Sequence, residues 1–240
     1  MNNKLSLAAA LALTGLLGAG TASANVVIDH FNHGLAQEVS NDNLDRTDLD
    51  TGLPTTSVIG GARKTLLTNV TGAGEFSTAA LLVNNASSGK VTMSNAEGVD
   101  SRATVVWDGG GGAVTDIQYN GIAAQDLTDS GAALGFRFTV SSIDQFVDVT
   151  FNVWSGAQAV KSTWTGTFAA AVDKFFIPFS SFTGTASFGS VTAMQMILDG
   201  PTAWDGAIDI VETSESIPLP GTVLLMGAGL LGLARRMKRS

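Results

Sequence analysis

FVDVTFNVW, residues 146–154, alternates apolar and polar side chains without a break. Val147, Val149, Phe151 and Val153 fall on one face; Asp148, Thr150, Asn152 and Trp154 fall on the other. A period of two belongs to a strand, whose successive side chains point to opposite sides of a sheet, and this stretch predicts a half-buried strand. Ser155-Gly156-Ala157-Gln158 punctuates it, and residues 159–168 return as a hairpin partner. Working outward, further strands are expected at 26–31, 57–67, 79–84, 90–94, 101–107, 133–140, 174–177, 193–198 and 207–212, with Gly, Asn, Asp and Ser turns between them. No amphipathic helical stretch runs uninterrupted for about a dozen residues. Many short strands at roughly ten-residue spacing predict an all-β fold, a β-sandwich or jelly roll. There is no internal repeat, and the polar, acidic segment 41–52 is expected to be a surface loop.

Both ends of the chain depart from this pattern. Met1 to Ala24 holds one early Lys4, an apolar core over 5–19 and the small-residue sequence Ala22-Ser23-Ala24. That is a secretory signal peptide, with cleavage after Ala24 and Asn25 as the mature N-terminus. The absence of cysteine excludes an N-terminal lipoprotein anchor, disulfides and thiol chemistry, so an apolar core must stabilise the exported body. The other end, 217–240, reads IPLPGTVLLMGAGLLGLARRMKRS. Pro218 and Pro220 lack amide donors and restrict Ile217 and Leu219, so this element is extended. The 14 uncharged residues 221–234 would form a helix of about 21 Å, against a hydrocarbon core of roughly 30 Å. It is therefore a short span, accommodated by bilayer thinning. Gly227, Gly229 and Gly232 leave a smooth surface for close helix approach. Arg235, Arg236, Lys238 and Arg239 would keep the extreme C-terminus cytoplasmic. The chain thus divides into a signal peptide (1–24), an ectodomain (25–213) and a C-terminal sorting region (214–240).

This tail resembles a PEP-CTERM sorting signal of the VPLPA type, although Leu219 replaces the acidic residue of the PEP form, and Ile217 and Gly221 replace the outer Val and Ala of the VPLPA form. The resemblance implies a Gram-negative bacterium and export through the secretion machinery. It further implies transient anchoring in the inner membrane and processing at Ile217, Pro218, Leu219 and Pro220 by an exosortase-like membrane protease. Delivery would be to the cell surface or to a biofilm's extracellular exopolysaccharide matrix. A second, more generic resemblance lies in Phe175-Phe176-Ile177-Pro178-Phe179-Ser180-Ser181-Phe182, 191–198 and AWDGAIDIVE at 203–212. Together these are similar to the closing strands of galactose-binding-like β-sandwich modules, a likeness of fold rather than of function.

Without the two ends, the charge balance sharpens. All 21 acidic residues lie between Asp29 and Glu215, while Lys4 and the four tail residues account for five of the 13 basic ones. Eight basic residues against 21 acidic ones leave the body at −13. Such acidity excludes nucleic acid as a partner, because phosphates need Lys and Arg to replace counterions. It is compatible with divalent cations. About 190 residues suffice for one sizeable domain.

Within the body, Asp48-x-Asp50-x-Gly52 has part of the spacing of a calcium loop but lacks a third in-line oxygen donor and the closing Glu, so a solvated loop is the better reading. Asp29 on the first strand and Asp209 on the last could meet, and the second resemblance implies a structural Ca2+ near that place. His30 and His33, the only histidines, face opposite sides of a strand and make no chelating pair. The run Gly109–112 lacks the Lys-Ser/Thr that completes a phosphate loop and reads as a flexible turn. Among the tryptophans, Trp107 and Trp164 share faces with core residues. Trp154 falls on the polar face of its strand, and Trp204 lies in the loop 199–206 beside Asp205. An exposed indole beside carboxylates suits a sugar, the ring stacking on C–H faces while polar groups bond hydroxyls. Trp154, Trp204 and Asp205 are therefore the candidate glycan contacts. With no cysteine, both histidines at one place and no nucleophile elbow, triad or zinc catalysis has no support. Two carboxylates could make a glycoside hydrolase, but no pair stands out. The expectation is a non-catalytic envelope or matrix protein that binds carbohydrate, with a structural component lacking a discrete ligand as the alternative.

Overall fold

The computed structural model describes residues 25–169 and 173–215. The signal peptide with its Ala22–Ala24 cleavage site, and the Pro-x-Pro element, apolar segment and basic cluster of the tail, lie outside the described residues. Among the described residues no helix is long and apolar enough to cross a membrane.

Among the described residues, fourteen strands form two sheets. In chain order they are β1 (Val27–Asp29), β2 (Ala36–Ser40), β3 (Arg46–Thr51), β4 (Ala62–Thr71), β5 (Ala79–Val83), β6 (Val91–Asn95), β7 (Asp100–Trp107), β8 (Gly135–Ile143), β9 (Val147–Trp154), β10 (Lys161–Phe168), β11 (Lys174–Pro178), β12 (Thr183–Gly184), β13 (Ala193–Asp199) and β14 (Asp205–Ser214). The first sheet runs β11-β8-β14-β6-β5-β2, with β1 on β14; the second runs β12-β10-β9-β13-β7-β4-β3. Every pairing is antiparallel. The expected all-β sandwich is the observed fold.

FVDVTFNVW shows why the sheets stack. Val147, Val149, Phe151 and Val153 are buried in the common core. Across the gap β8 presents Phe136 and Phe138, whose rings meet Phe151 edge-on at 4.7 and 5.6 Å, and Phe138 also meets Phe168 at 5.3 Å. Edge-to-face rings from facing sheets give this core dispersion and quadrupole attraction beyond simple burial.

Three strands were not expected: β2, β3 and the two-residue β12. Segment 41–52 is only partly a loop: Arg46–Thr51 is β3, paired with β4 from Arg46↔Leu67 to Thr51↔Ala62. As the outermost strand of its sheet it has one neighbour, and its half-exposed side chains alternate acidic with neutral rather than polar with apolar. β2 is the outermost strand of the other sheet and buries Ala36, Glu38 and Ser40, none of which marks a core strand. The strand expected over 57–67 begins later, because Gly60 and Gly61 take left-handed backbone (φ 72° and 69°) and turn the chain into β4.

Candidate functional site

Arg63 and Lys64 sit side by side on β4 and point to opposite sides of the second sheet. Arg63 turns inward. Its Nη1 donates to Asp29 at 2.9 Å, and its Nη2 donates to Asp50 at 2.8 Å and to the His33 carbonyl at 2.7 Å. Lys64 turns outward and donates to Asp108 Oδ2 and to the Asp116 carbonyl, both at 2.7 Å. Asp108 Oδ2 also accepts from the Gln118 amide at 2.8 Å. This buried pair fastens the segment 109–121 onto the sheet. The four glycines 109–112 all have φ between 77° and 82°, a left-handed run that L side chains resist. A Cβ on Gly109 would lie 2.1 Å from the Gly121 carbonyl oxygen, so the two ends of the segment touch there. The expected turn forms, packed at Gly109 and exposed at Gly111 and Gly112.

Thr192 joins this segment to the β9–β10 turn. Its hydroxyl donates to the Tyr119 carbonyl at 2.6 Å and accepts from the Gly156 amide at 2.7 Å, and its carbonyl accepts from Ile122 at 3.1 Å. Between the two loops lies a cleft of about 430 Å³, with Gln118, Tyr119 and Asn120 on one wall and Gly156 and Gln158 on the other. The Asn120 amide, in the orientation that pairs donors with acceptors, bonds the carbonyls of Tyr119 and Gly156 and closes the base. The half-exposed Tyr119 ring lies 5.5 Å from Trp154, tilted by 55°. No ionised side chain lines the cleft. An aromatic face with three carboxamides can stack on C–H groups and exchange hydrogen bonds with hydroxyls, and offers nothing to an ion.

The sequence-based candidates scatter around this cleft. Trp154 does occupy the outer, polar face, in register with Lys161 and Ala193. Its ring is nevertheless only 4% exposed, because Tyr119 covers it and the Lys161 ammonium stands 6.0 Å from the ring centre. Trp154 supports the cleft from beneath instead of presenting an open stacking surface. Trp204 is 1% exposed and belongs to the core. Gly200 and Gly206 make room for its ring, since a Cβ on either would fall within 2.7 Å of it, and its Nε1 donates to the Gln145 carbonyl at 3.3 Å. The exposed indole expected at 204 is therefore a plug in the sandwich end. Asp205 is exposed beside it, its amide donating to Asp144. These two residues lie at the opposite end of β9 from Trp154, because β13 pairs Asp199 with Asp148 and Ala193 with Trp154. Six residue steps of strand, about 20 Å, separate the ends, so Trp154 and Trp204 cannot share a ligand.

The first and last strands do pair, Asp29 opposite Val211, but the Asp29–Asp209 cation site does not form. The Asp29 carboxylate is fully buried and accepts from Arg63, from Trp107 Nε1 at 2.8 Å and from the Phe31 amide at 2.7 Å. Burial pushes its carboxyl up, with Arg63 and these N–H groups pulling the other way. Asp209 instead stands 3.8 Å from Lys90. A guanidinium occupies the place a structural Ca2+ would need, and among the described residues no three acidic or histidine side chains converge as a metal set. Asp50 of the acidic segment is likewise engaged by Arg63. His30 and His33 are half-buried on an irregular turn. Tyr119, the chain's only tyrosine, is the site residue that sequence reasoning missed. The signal available was that ring lying between Gln118 and Asn120 in a stretch with no strand pattern.

Residues 216–239 match the PEP-CTERM protein-sorting motif. No curated protein is similar to the chain in sequence. Solved structures similar to it include a family 11 carbohydrate-binding module studied in solution, at 10% identity and a TM-score of 0.43, covering 82% of this chain and 99% of the module. The family 11 module of Clostridium thermocellum in complex with a β-1,3-1,4-mixed-linked tetrasaccharide is similar at 11% identity and a TM-score of 0.40, over 80% of this chain and 96% of that one. The matched motif marks an exported protein with a C-terminal membrane-anchoring sorting signal.

Proposed function

We propose that the body is a non-catalytic module of the cell surface or exopolysaccharide matrix that binds a neutral glycan in the Tyr119 cleft, after an exosortase-type protease has processed the tail. One observation carries this reading: a cleft about the size of a sugar unit or two, walled by Gln118, Asn120, Gln158 and a half-exposed tyrosine, with no charged group on a body of net −13. A ligand bound there is matched by dipoles and a ring face, the chemistry of a neutral polyol. The same lining supports a non-catalytic role, since general acid–base work on a glycosidic bond needs two carboxyl groups and the cleft walls hold none. The anchoring of both walls through Thr192 and Asp108 holds the loops in place before binding, which lowers the ordering cost of association.

A glycan array with the purified protein tests this. Saturable binding to a neutral oligosaccharide, lost in Tyr119→Ala and retained in Asp205→Ala, is the expected result; binding that ignores Tyr119 would overturn the assignment. A structural matrix role without a discrete ligand is the second reading, favoured by the burial of both Trp154 and Trp204. It predicts no saturable binding to any glycan.

A further inference from the structure

A second concavity of about 450 Å³ lies at the open edge of the sandwich, where β2, outermost in the first sheet, packs against β3, outermost in the second. Glu38 of β2 forms its floor and is 3% exposed. One carboxylate oxygen takes the hydroxyl of Thr65 on β4. The other, Oε2, is buried and has no hydrogen-bond partner among the described residues. A buried carboxylate oxygen left unpaired is costly, and natural folds seldom leave one without a reason.

Among the described residues, the cations of the flanking strands β3 and β4 are already paired. From β3, Arg46 is held by Asp42 at 2.7 Å. From β4, Arg63 is divided between Asp29 and Asp50. The other charged groups facing Glu38 are Asp48 and Asp50 of β3, and both are acidic. Asp48 lines the cleft, and its Oδ1 accepts from the Leu49 amide. Gln37, Thr47 and the Asp42-paired Arg46 complete the lining, and Leu35 and Val39, 54% and 45% exposed, give it an apolar flank.

We infer that this cleft binds a primary ammonium group carried on a small frame, with Glu38 as the buried anchor, Asp48 as the second carboxylate and Leu35 and Val39 against the carbon skeleton. A divalent cation fits less well. Calcium takes about six to eight oxygens, whereas no metal set of three acidic or histidine residues exists among the described residues. Leu35 and Val39 supply no side-chain oxygen, and the space is far larger than an ion. An ammonium needs only two or three acceptors and tolerates an apolar flank. This assignment is independent of the neutral glycan proposed for Tyr119.

Binding is coupled to one proton. Desolvation, reinforced by Asp48 and Asp50, pushes the Glu38 carboxyl up to about 7. The arriving ammonium requires the ionised form, so Glu38 releases its proton to solvent as the ion pair forms.

Titration calorimetry on the purified Tyr119→Ala protein, which removes the neutral-glycan cleft, tests the inference with three probes: n-butylamine, a glucosamine tetramer and its N-acetylated counterpart. At least one amine is expected to bind saturably at one site, and the N-acetylated tetramer is expected not to. For butylamine, whose ammonium stays charged as a lysine's does, affinity should fall about tenfold between about pH 8 and about pH 5.5. Glu38→Gln keeps the shape of the neutral acid and should fold normally by circular dichroism, weaken amine binding about tenfold and abolish its pH dependence. Asp48→Asn should weaken binding by a smaller factor. Tetramer binding without butylamine binding would identify an amino sugar as the source, and the reverse an aliphatic amine. Absence of saturable amine binding, equal binding of the N-acetylated tetramer, or amine affinity unchanged by Glu38→Gln would overturn the assignment.

Discussion

Arg63 and Lys64 are consecutive on one strand, both fully buried and both paired with an aspartate, yet they serve different parts of the molecule. Arg63 faces the sandwich interior and ties β1 and β3 to β4 through Asp29 and Asp50. Lys64 faces outward and ties the segment 109–121, which carries the cleft, to the sheet. Strand alternation alone makes one side chain a fold-holding group and its neighbour a site-holding group. Buried ion pairs add little net stability over apolar replacements, but removing one partner strands a charge. The two pairs should therefore break differently.

Removing Arg63 has the largest expected effect. Arg63→Ala leaves Asp29 buried without its cation and should cost about 3–5 kcal/mol, read from the shift of the denaturant midpoint. Lys64→Ala should cost somewhat less, about 2–4 kcal/mol, because Asp108 retains the Gln118 amide. Its distinguishing mark is local: amide exchange should accelerate at 116–121 before it does in β8 or β9. Uniform acceleration would show that Lys64 holds the fold as Arg63 does.

Glu38 gives the next effect, with a sign opposite to that of an ordinary carboxylate. Its folded-state value is raised from 4.5 to about 7, so the fold favours the protonated form. The associated stability is fully present below pH 4.5 and is lost as pH rises toward 7, beyond which the curve is level. The loss should be about 3 kcal/mol, and Glu38→Gln should flatten the curve across that window. A wild-type curve already flat there would place Glu38 in contact with water. The smallest stability effect belongs to Tyr119→Ala, under about 1 kcal/mol, since its ring is half-exposed. It should nevertheless reduce glycan affinity at least about tenfold.

These contrasts also show what could be read in the sequence. FVDVTFNVW announces β9 to within one residue, because a central strand with one buried face must alternate. The same parity puts Trp154 on the outer face, as observed. What parity cannot reveal is a cover supplied by Tyr119, 35 positions upstream, and held there by Thr192. β2 and β3 were illegible for a related reason: each has a single neighbour, so pairing with β5 or β4 defines them more than a hydrophobic pattern of their own. Asp29 reads as a ligand in the sequence because an acidic residue on a strand has no visible partner, while Arg63 becomes its partner only after the sheets stack. Trp204 reads as exposed because it lies in the loop 199–206 beside Asp205, and the space that Gly200 and Gly206 leave for its ring exists only in the folded sandwich end.

The most direct test of glycan binding at the Tyr119 cleft is a residue-resolved NMR titration of the protein with a neutral oligosaccharide selected by the array. Chemical-shift changes confined to 117–121 and 156–158, saturating together and absent in Tyr119→Ala, are the predicted result. Changes centred on Trp204 and Asp205, or none at saturating sugar, would contradict it.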